Sequence, residues 1–204
     1  TTYSFYSSRL KVLNAQQYGQ AFWQAKVNDG LDPNANSISY QFDWNNDANG
    51  VPVLNKIILP EYLDAAKTMK TANTDWFKEI SQIGVSRNYD VTLTNGSDKG
   101  HSMVSLDYTK NDGIIKTTFI DSLSARVNTD YNLLKDNLVV GENYAVSRSS
   151  QVDNNVLDPA LQALPIIPVH TVDGKGWGGP VEGMNDRQNP MRLLEDNKQN
   201  NTIN

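Results

Sequence analysis

The sequence contains no cysteine, which excludes a disulfide framework, a thiolate metal site and a cysteine nucleophile. Only two histidines occur, His101 and His170, each beside an expected turn or loop, and structural or solvent-exposed roles suit both. No GxSxG, HExxH or P-loop pattern is present, and acids such as Asp43, Asp47 and Asp75 are not spaced as a glycosidase pair. The expectation is a non-enzymatic protein without a cofactor. Long apolar runs are also missing: nowhere do 18 apolar residues follow one another, so no transmembrane helix is expected. Residues Thr1 to Leu10 lack the apolar core of a signal peptide. A start at Thr1 without Met suggests a mature or excised segment. Cationic clusters are scarce as well, because 18 Lys and Arg are scattered among 23 acids for a net charge of -5. That balance argues against a nucleic-acid partner. Hydrophobic residues make up 38%, below the usual globular share, so a conventional large core is not assured.

What is present is a change of period. Residues 1–85 read as helical and irregular. Asn14 is placed as an N-cap with Gln17 completing a capping box for a helix over about 15–28, and Gly30 follows its end. Tyr18, Ala21, Phe22 and Ala25 share one face of that helix. Pro60 suits the start of a second helix through Met69, and Thr74 can cap a third over Asp75 to Ile80. Asp43 to Gly50 reads as a polar turn.

From Ser86 the period becomes two. Strands are expected at about 86–96, 101–110, 121–133 and 138–148, with Asn95-Gly96 supplying a hairpin turn. The clearest alternation puts Leu123, Ala125, Val127, Thr129, Tyr131 and Leu133 on one face, opposite Ser122, Ser124, Arg126, Asn128, Asp130 and Asn132. Strand 138–148 is less clean: Glu142 and Arg148 lie on the face of Leu138, Val140, Tyr144 and Val146. Its orientation is open at this level. Residues 149–204 are again irregular, with helix starts expected at Asp158-Pro159 and Asn189-Pro190 and glycines clustered from Gly174 to Gly183.

Connection lengths then suggest an architecture. They run long, short, medium, short, long, which places long and short connections at opposite strand ends, as in outer-membrane barrels. Strands of 10 to 13 residues exceed the usual length in soluble sheets, about 5 to 6. The expected class is all-β: a segment of a transmembrane antiparallel barrel, with the end of a first strand and a long extracellular loop with short helices at 1–85, and a second long extracellular loop at 149–204. A half-buried sheet in a secreted carbohydrate-binding β-sandwich, or an extracellular interaction domain, would produce the same alternation.

Several ordered motifs carry a resemblance. Leu13-Asn14-Ala15-Gln16-Gln17-Tyr18, Tyr40-Gln41-Phe42-Asp43-Trp44-Asn45 and Thr74-Asp75-Trp76-Phe77 are followed by Asn88-Tyr89-Asp90-Val91-Thr92-Leu93, Gly113-Ile114-Ile115-Lys116 and Ser124-Ala125-Arg126-Val127-Asn128. Asn189-Pro190 with Leu193-Leu194 completes the series. Together they resemble the region after the plug in SusC/RagA-family TonB-dependent outer-membrane transporters. The resemblance implies a barrel of roughly 22 strands in the outer membrane of a Gram-negative bacterium. It also implies import of glycan oligosaccharides or peptides beneath a SusD-like lipoprotein lid, driven by TonB through a plug that this sequence does not contain.

Candidate contact residues follow from exposure and chemistry. Trp44, Trp76 and Trp177, expected in loops, could stack on a sugar or touch a lid, although packing within the loops is the default. Arg126 and Asp130 share the polar strand face and are expected in the barrel interior. Asp43, Asn45, Asp47 and Asn49 alternate before Gly50 in a pattern that calcium could use, although an Asx-rich turn is the commoner meaning.

Overall fold

The computed structural model describes residues 1–5, 11–35, 39–134, 137–180, 188–196 and 200–203. It is mostly β-sheet with a few short helices, and among the described residues no helix is long and apolar enough to cross a membrane. The chain divides into two compact units: residues 1–7, 81–154 and 197–204 in one, residues 8–80 and 155–196 in the other.

The first unit is an antiparallel sheet. Its long strands are β4 (Gly84–Ser97), β5 (Gly100–Asp112), β6 (Phe119–Leu133) and β7 (Leu138–Val152), with short edge strands β1 (Thr2–Ser4) and β8 (Asn200–Ile203). The order is β1-β4-β5-β6-β7-β8. Each long strand runs past its expected bounds, because the flanking polar residues still complete the backbone ladder. The turn between β4 and β5 differs from expectation. Asn95 and Gly96 remain in β4, opposite Ser102 and His101, and the pair Ser97–Gly100 is closed by Asp98 and Lys99. Gly100 is required there: its φ is +153°, and a Cβ would lie 2.1 Å from the Asp130 carbonyl oxygen of β6. Asn95-Gly96 is a good local turn former, but cross-strand pairing outweighs it. The expected turn at 134–137 is described only at its ends; Lys135 and Asp136 lie outside the described residues.

The second unit contains almost all of the buried apolar side chains, among them Trp23, Tyr40, Phe42, Trp76, Ile80, Val156, Ile166 and Leu194. Helix α1 (Ala15–Asn28) begins at an Asn14 capping box with Gln17, as its sequence suggests. The buried stripe is Ala15, Gly19 and Trp23, not the face shared by Tyr18, Ala21, Phe22 and Ala25. Two of those four, Ala21 and Ala25, are exposed. Gly19 explains the rotation, because a Cβ on it would come within 2.7 Å of the Tyr40 ring. The Tyr40 hydroxyl donates to the Ala15 carbonyl at 3.0 Å, its ring stacks on Phe42, and burial raises its pKa, with Tyr18 adding to the shift.

Tyr40 leads into a hairpin that the sequence pattern did not reveal, β2 (Gln41–Asn46) with β3 (Pro52–Ile58). A bulge between Asp43 and Trp44 breaks the alternation that would have disclosed it. The helix expected from Pro60 to Met69 does not form. Asp64 instead accepts hydrogen bonds from the Thr68 and Met69 amides, closing a turn in which Lys67 has φ +56°; such side-chain bonds compete with a helix. Helix α2 (Trp76–Ile80) is capped by Asp75, which accepts from the Lys78 amide, and not by Thr74, whose hydroxyl donates to the Ile167 carbonyl.

Two distant stretches of sequence are thereby tied together. The Ala72 and Thr74 amides donate to the Ile166 and Pro165 carbonyls, and the Trp76 indole donates to Leu164. Helices α3 (Leu157–Gln162) and α4 (Pro190–Glu195) complete the unit. Asn189 caps α4 and donates to the carbonyls of Val169 and Gly178. A Gly19→Ala substitution should therefore force Tyr40 aside and lower stability by about 1–3 kcal/mol, read as a fall in the denaturation midpoint of the intact protein.

Candidate functional site

The register of the long strands decides which side chains share a face, because direct cross-strand partners point the same way. Val91, Leu106, Ala125 and Val146 make one row, and Leu93, Val104, Val127 and Tyr144 make the next. Tyr89 and Tyr108, with rings stacked at 6.3 Å, stand beside Leu123 on one flank. Asn95, Ser102, Thr129 and Glu142 form the other. The rows are not covered: Val91 is 58% and Leu93 is 69% exposed.

This arrangement settles the orientation of β7. Its apolar side chains continue the apolar face of β6, with Glu142 beside Thr129 and Arg148 beside Leu123 at the margins of the central rows. Beyond the tyrosines on that face the next row carries Arg87, Lys110 and Asp121, so the apolar surface is bounded by charge.

The opposite face is polar. Arg126 lies in a row with Thr92, Ser105 and Ala145, and Asp130 lies beside His101 and Gly141. The structure puts Arg126 and Asp130 on one face without pairing them; the Asp130 carboxylate lies instead 3.4 Å from His101 Nδ1.

The remaining candidate residues belong to the second unit. Trp44 lies in β2 opposite Leu54 and is half-buried, not in a loop as expected. Trp76 is 2% exposed, so its ring presents no surface to a ligand and serves packing. Trp177 is half-buried, with its ring 4.4 Å from that of His170. Asp43 and Asn45 point outward from β2, where Asn55 Nδ2 donates to Asn45 Oδ1 at 2.8 Å. Asp47 accepts from the Asn49 and Val51 amides at 2.8 and 2.9 Å, closing the turn in which Gly50 has φ +80°. Among the described residues no three His, Cys, Asp or Glu side chains are grouped so as to hold a metal ion.

No family model matches the chain. Two known proteins are similar to it. TonB-dependent receptor P26 of Formosa agariphila is 29% identical over 123 residues, 55% of this chain. TonB-dependent receptor SusC of Bacteroides thetaiotaomicron is 37% identical over 147 residues, 61% of this chain. The chain is thus similar, over rather more than half its length, to part of these TonB-dependent receptors. It spans only 12% and 15% of the lengths of these two relatives. Both relatives are named as receptors, in accord with the expectation of a non-enzymatic protein.

Within the second unit one turn chemistry recurs: the Asx-rich turn expected at Asp47 is joined by two that the sequence analysis did not single out. Asp64, Asp47 and Asp173 each use a carboxylate to gather backbone amides. Asp173 accepts from the Thr171 hydroxyl at 2.6 Å and the Lys175 amide at 3.1 Å, in a turn where Gly174 has φ +69°. The signal was present as Asp-Ala-Asn-Gly and Thr-Val-Asp-Gly, a known turn chemistry. The hydrogen bonds lower all three pKa values: the Met69 amide is the main cause at Asp64, the Val51 amide at Asp47 and the Thr171 hydroxyl at Asp173. A depressed carboxylate pKa stabilises the turn above the unfolded value of about 3.9 and loses that contribution as pH falls through the folded pKa. Acidification below the ordinary carboxylate range should thus lower the exchange protection factors of the Met69 and Val51 amides, each taken relative to intrinsic exchange at the same pH, before that of the Ala72 amide, whose acceptor is a backbone carbonyl. An equal fall in protection at all three would contradict this.

Proposed function

We propose that the long sheet is part of a transmembrane β-barrel in a bacterial outer membrane, that the second unit is built from its extracellular loops, and that the intact receptor imports nutrients. The observation that carries this reading is the distribution of apolar side chains. In the second unit they are buried in a core; in the sheet they form an exposed face that ends at a charged row on one side and, toward the turns, continues past one polar row to Tyr131, Val140, Leu133 and Leu138. A soluble protein would have to leave that face in water, at roughly 25 cal/mol per Å². Lipid removes the cost.

The other features agree. The long strands have 13 to 15 residues, more than the roughly 9–11 that suffice for a tilted transmembrane strand. Strand polarity puts the turns at 98–99 and 134–137 at one end and the longer connections at the other, the asymmetry of an outer-membrane barrel. On this reading Arg126 and Asp130 line the interior, and Tyr89 and Tyr108 sit at the outer interface. Similarity to SusC supports uptake of oligosaccharides or peptides with a SusD-like lipoprotein as lid, energised by TonB through a plug elsewhere in the receptor. Trp44 and Trp177 are the tryptophans with exposed surface for cargo or lid.

The two faces make opposite predictions for one charge. Val127→Arg, on the apolar face, should cost about 2–4 kcal/mol near mid-membrane and reduce the folded receptor recovered from outer membranes. Asn128→Arg, one residue away on the polar face, should leave assembly near wild type. Equal tolerance of both, together with an intact protein that stays soluble and monomeric without detergent, would overturn the membrane reading in favour of a secreted sheet domain.

A further inference from the structure

Two of the aspartate-keyed turns are joined. The Val172 amide donates to the Thr68 carbonyl at 2.8 Å, and between the turns opens a groove of about 650 Å³ lined by Lys67, Thr68, Thr171, Val172, Asp173 and Lys175, with Gly176 at its edge. That volume is in the range of small-molecule sites.

Three independent features mark the groove as more than a gap between turns. Lys67 holds φ +56°, a left-handed conformation that is unfavourable for a residue with a Cβ and persists at functional positions more often than elsewhere. Among the described residues, neither Lys67 nor Lys175 has a carboxylate within ion-pair distance; the Lys67 ammonium lies 5.9 Å from the Tyr62 ring centroid. The acids nearby are engaged, with Asp64 accepting from Thr68 and Met69 and Asp173 from Thr171 and Lys175. Val172 is 61% exposed and supplies an apolar wall.

We propose that this groove binds the carboxylate of a small organic acid, with Lys67 and Lys175 as its cationic contacts and Val172 against the body of the ligand. Asp173 in the lining selects the charge: with it the two ammonium groups leave one net positive charge, which a single carboxylate balances and a dianion such as phosphate exceeds. A sugar acid and a peptide C-terminus both offer that chemistry. The proposal deepens the import reading by giving the cargo a charge and rests on that reading for its biological role, but the binding itself is measured on purified receptor without transport.

The test is calorimetric titration of the intact, detergent-solubilised receptor with glucuronate, with N-acetyl-dialanine, and with glucose and the dipeptide methyl ester as neutral controls. At least one acid should bind, more weakly at high salt, and its neutral counterpart should not. Which acid binds separates the sugar from the peptide source. Lys67→Gly removes the ammonium while relieving the left-handed backbone, so it should hold or raise the denaturation midpoint yet weaken binding about fivefold; Lys175→Gln should do the same to binding, and the double variant should lose more than tenfold. Lack of binding by both acids at millimolar concentration would overturn the proposal, as would equal binding of acid and neutral partner or unchanged affinity in the double variant. Because none of these readouts depends on membrane assembly, failure here leaves the Val127→Arg and Asn128→Arg comparison standing, and failure there leaves this one interpretable.

Discussion

Strand register is the constraint on which the rest of this structure depends. Side chains alternate across a strand, so a slip of one residue between β5 and β6 would bring Arg126 onto the face now held by Leu106. The two-residue turn at Asp98 and Lys99 and the close approach of Gly100 to the Asp130 carbonyl prevent that slip locally. The ladder then transmits the alignment from strand to strand over their full length. The sheet owes its order to backbone pairing and not to a core, since its apolar rows remain exposed.

The second unit has the reverse economy. It carries three loops keyed by aspartates and draws its cohesion from buried aromatic side chains with satisfied polar ends, such as the Tyr40 hydroxyl on Ala15 and the Trp76 indole on Leu164. Trp23 is the exception: its indole nitrogen is buried without a hydrogen-bond partner among the described residues, a cost borne by the surrounding packing. One chain thus combines two ways of satisfying its backbone, extended pairing where apolar surface faces outward and irregular loops where it faces inward.

How much of this could be read from the residues follows the range of the determining interaction. The Asn14 capping box and the Asn189 cap are contacts across three residues or fewer, and they were legible. So was the alternation of Leu123 to Leu133, because period two is local. The fate of Asn95-Gly96 was not, since its local turn preference was outweighed by partners on the neighbouring strand. Neither was the Gly19 stripe of α1, which is dictated by a tyrosine 21 positions away, nor the β2–β3 hairpin, hidden by a bulge at Asp43. Of the candidate site residues, Arg126 and Asp130 were placed on their face by alternation alone, whereas the burial of Trp76 depends on carbonyls 88 residues later in the chain and had no local signature.

The pairing of residues 72–76 with residues 164–167 has a consequence for how such a protein can change. The two stretches depend on each other where they meet: Trp76 donates its indole N–H to the Leu164 carbonyl, and the Ala72 amide donates to the Ile166 carbonyl. Duplication, recombination or grafting that moved one of them alone would leave that indole and that amide without their acceptors. The two loops therefore form a single heritable cassette, interrupted in the gene by four strands, and variation in one is expected to be tolerated only alongside matching variation in the other.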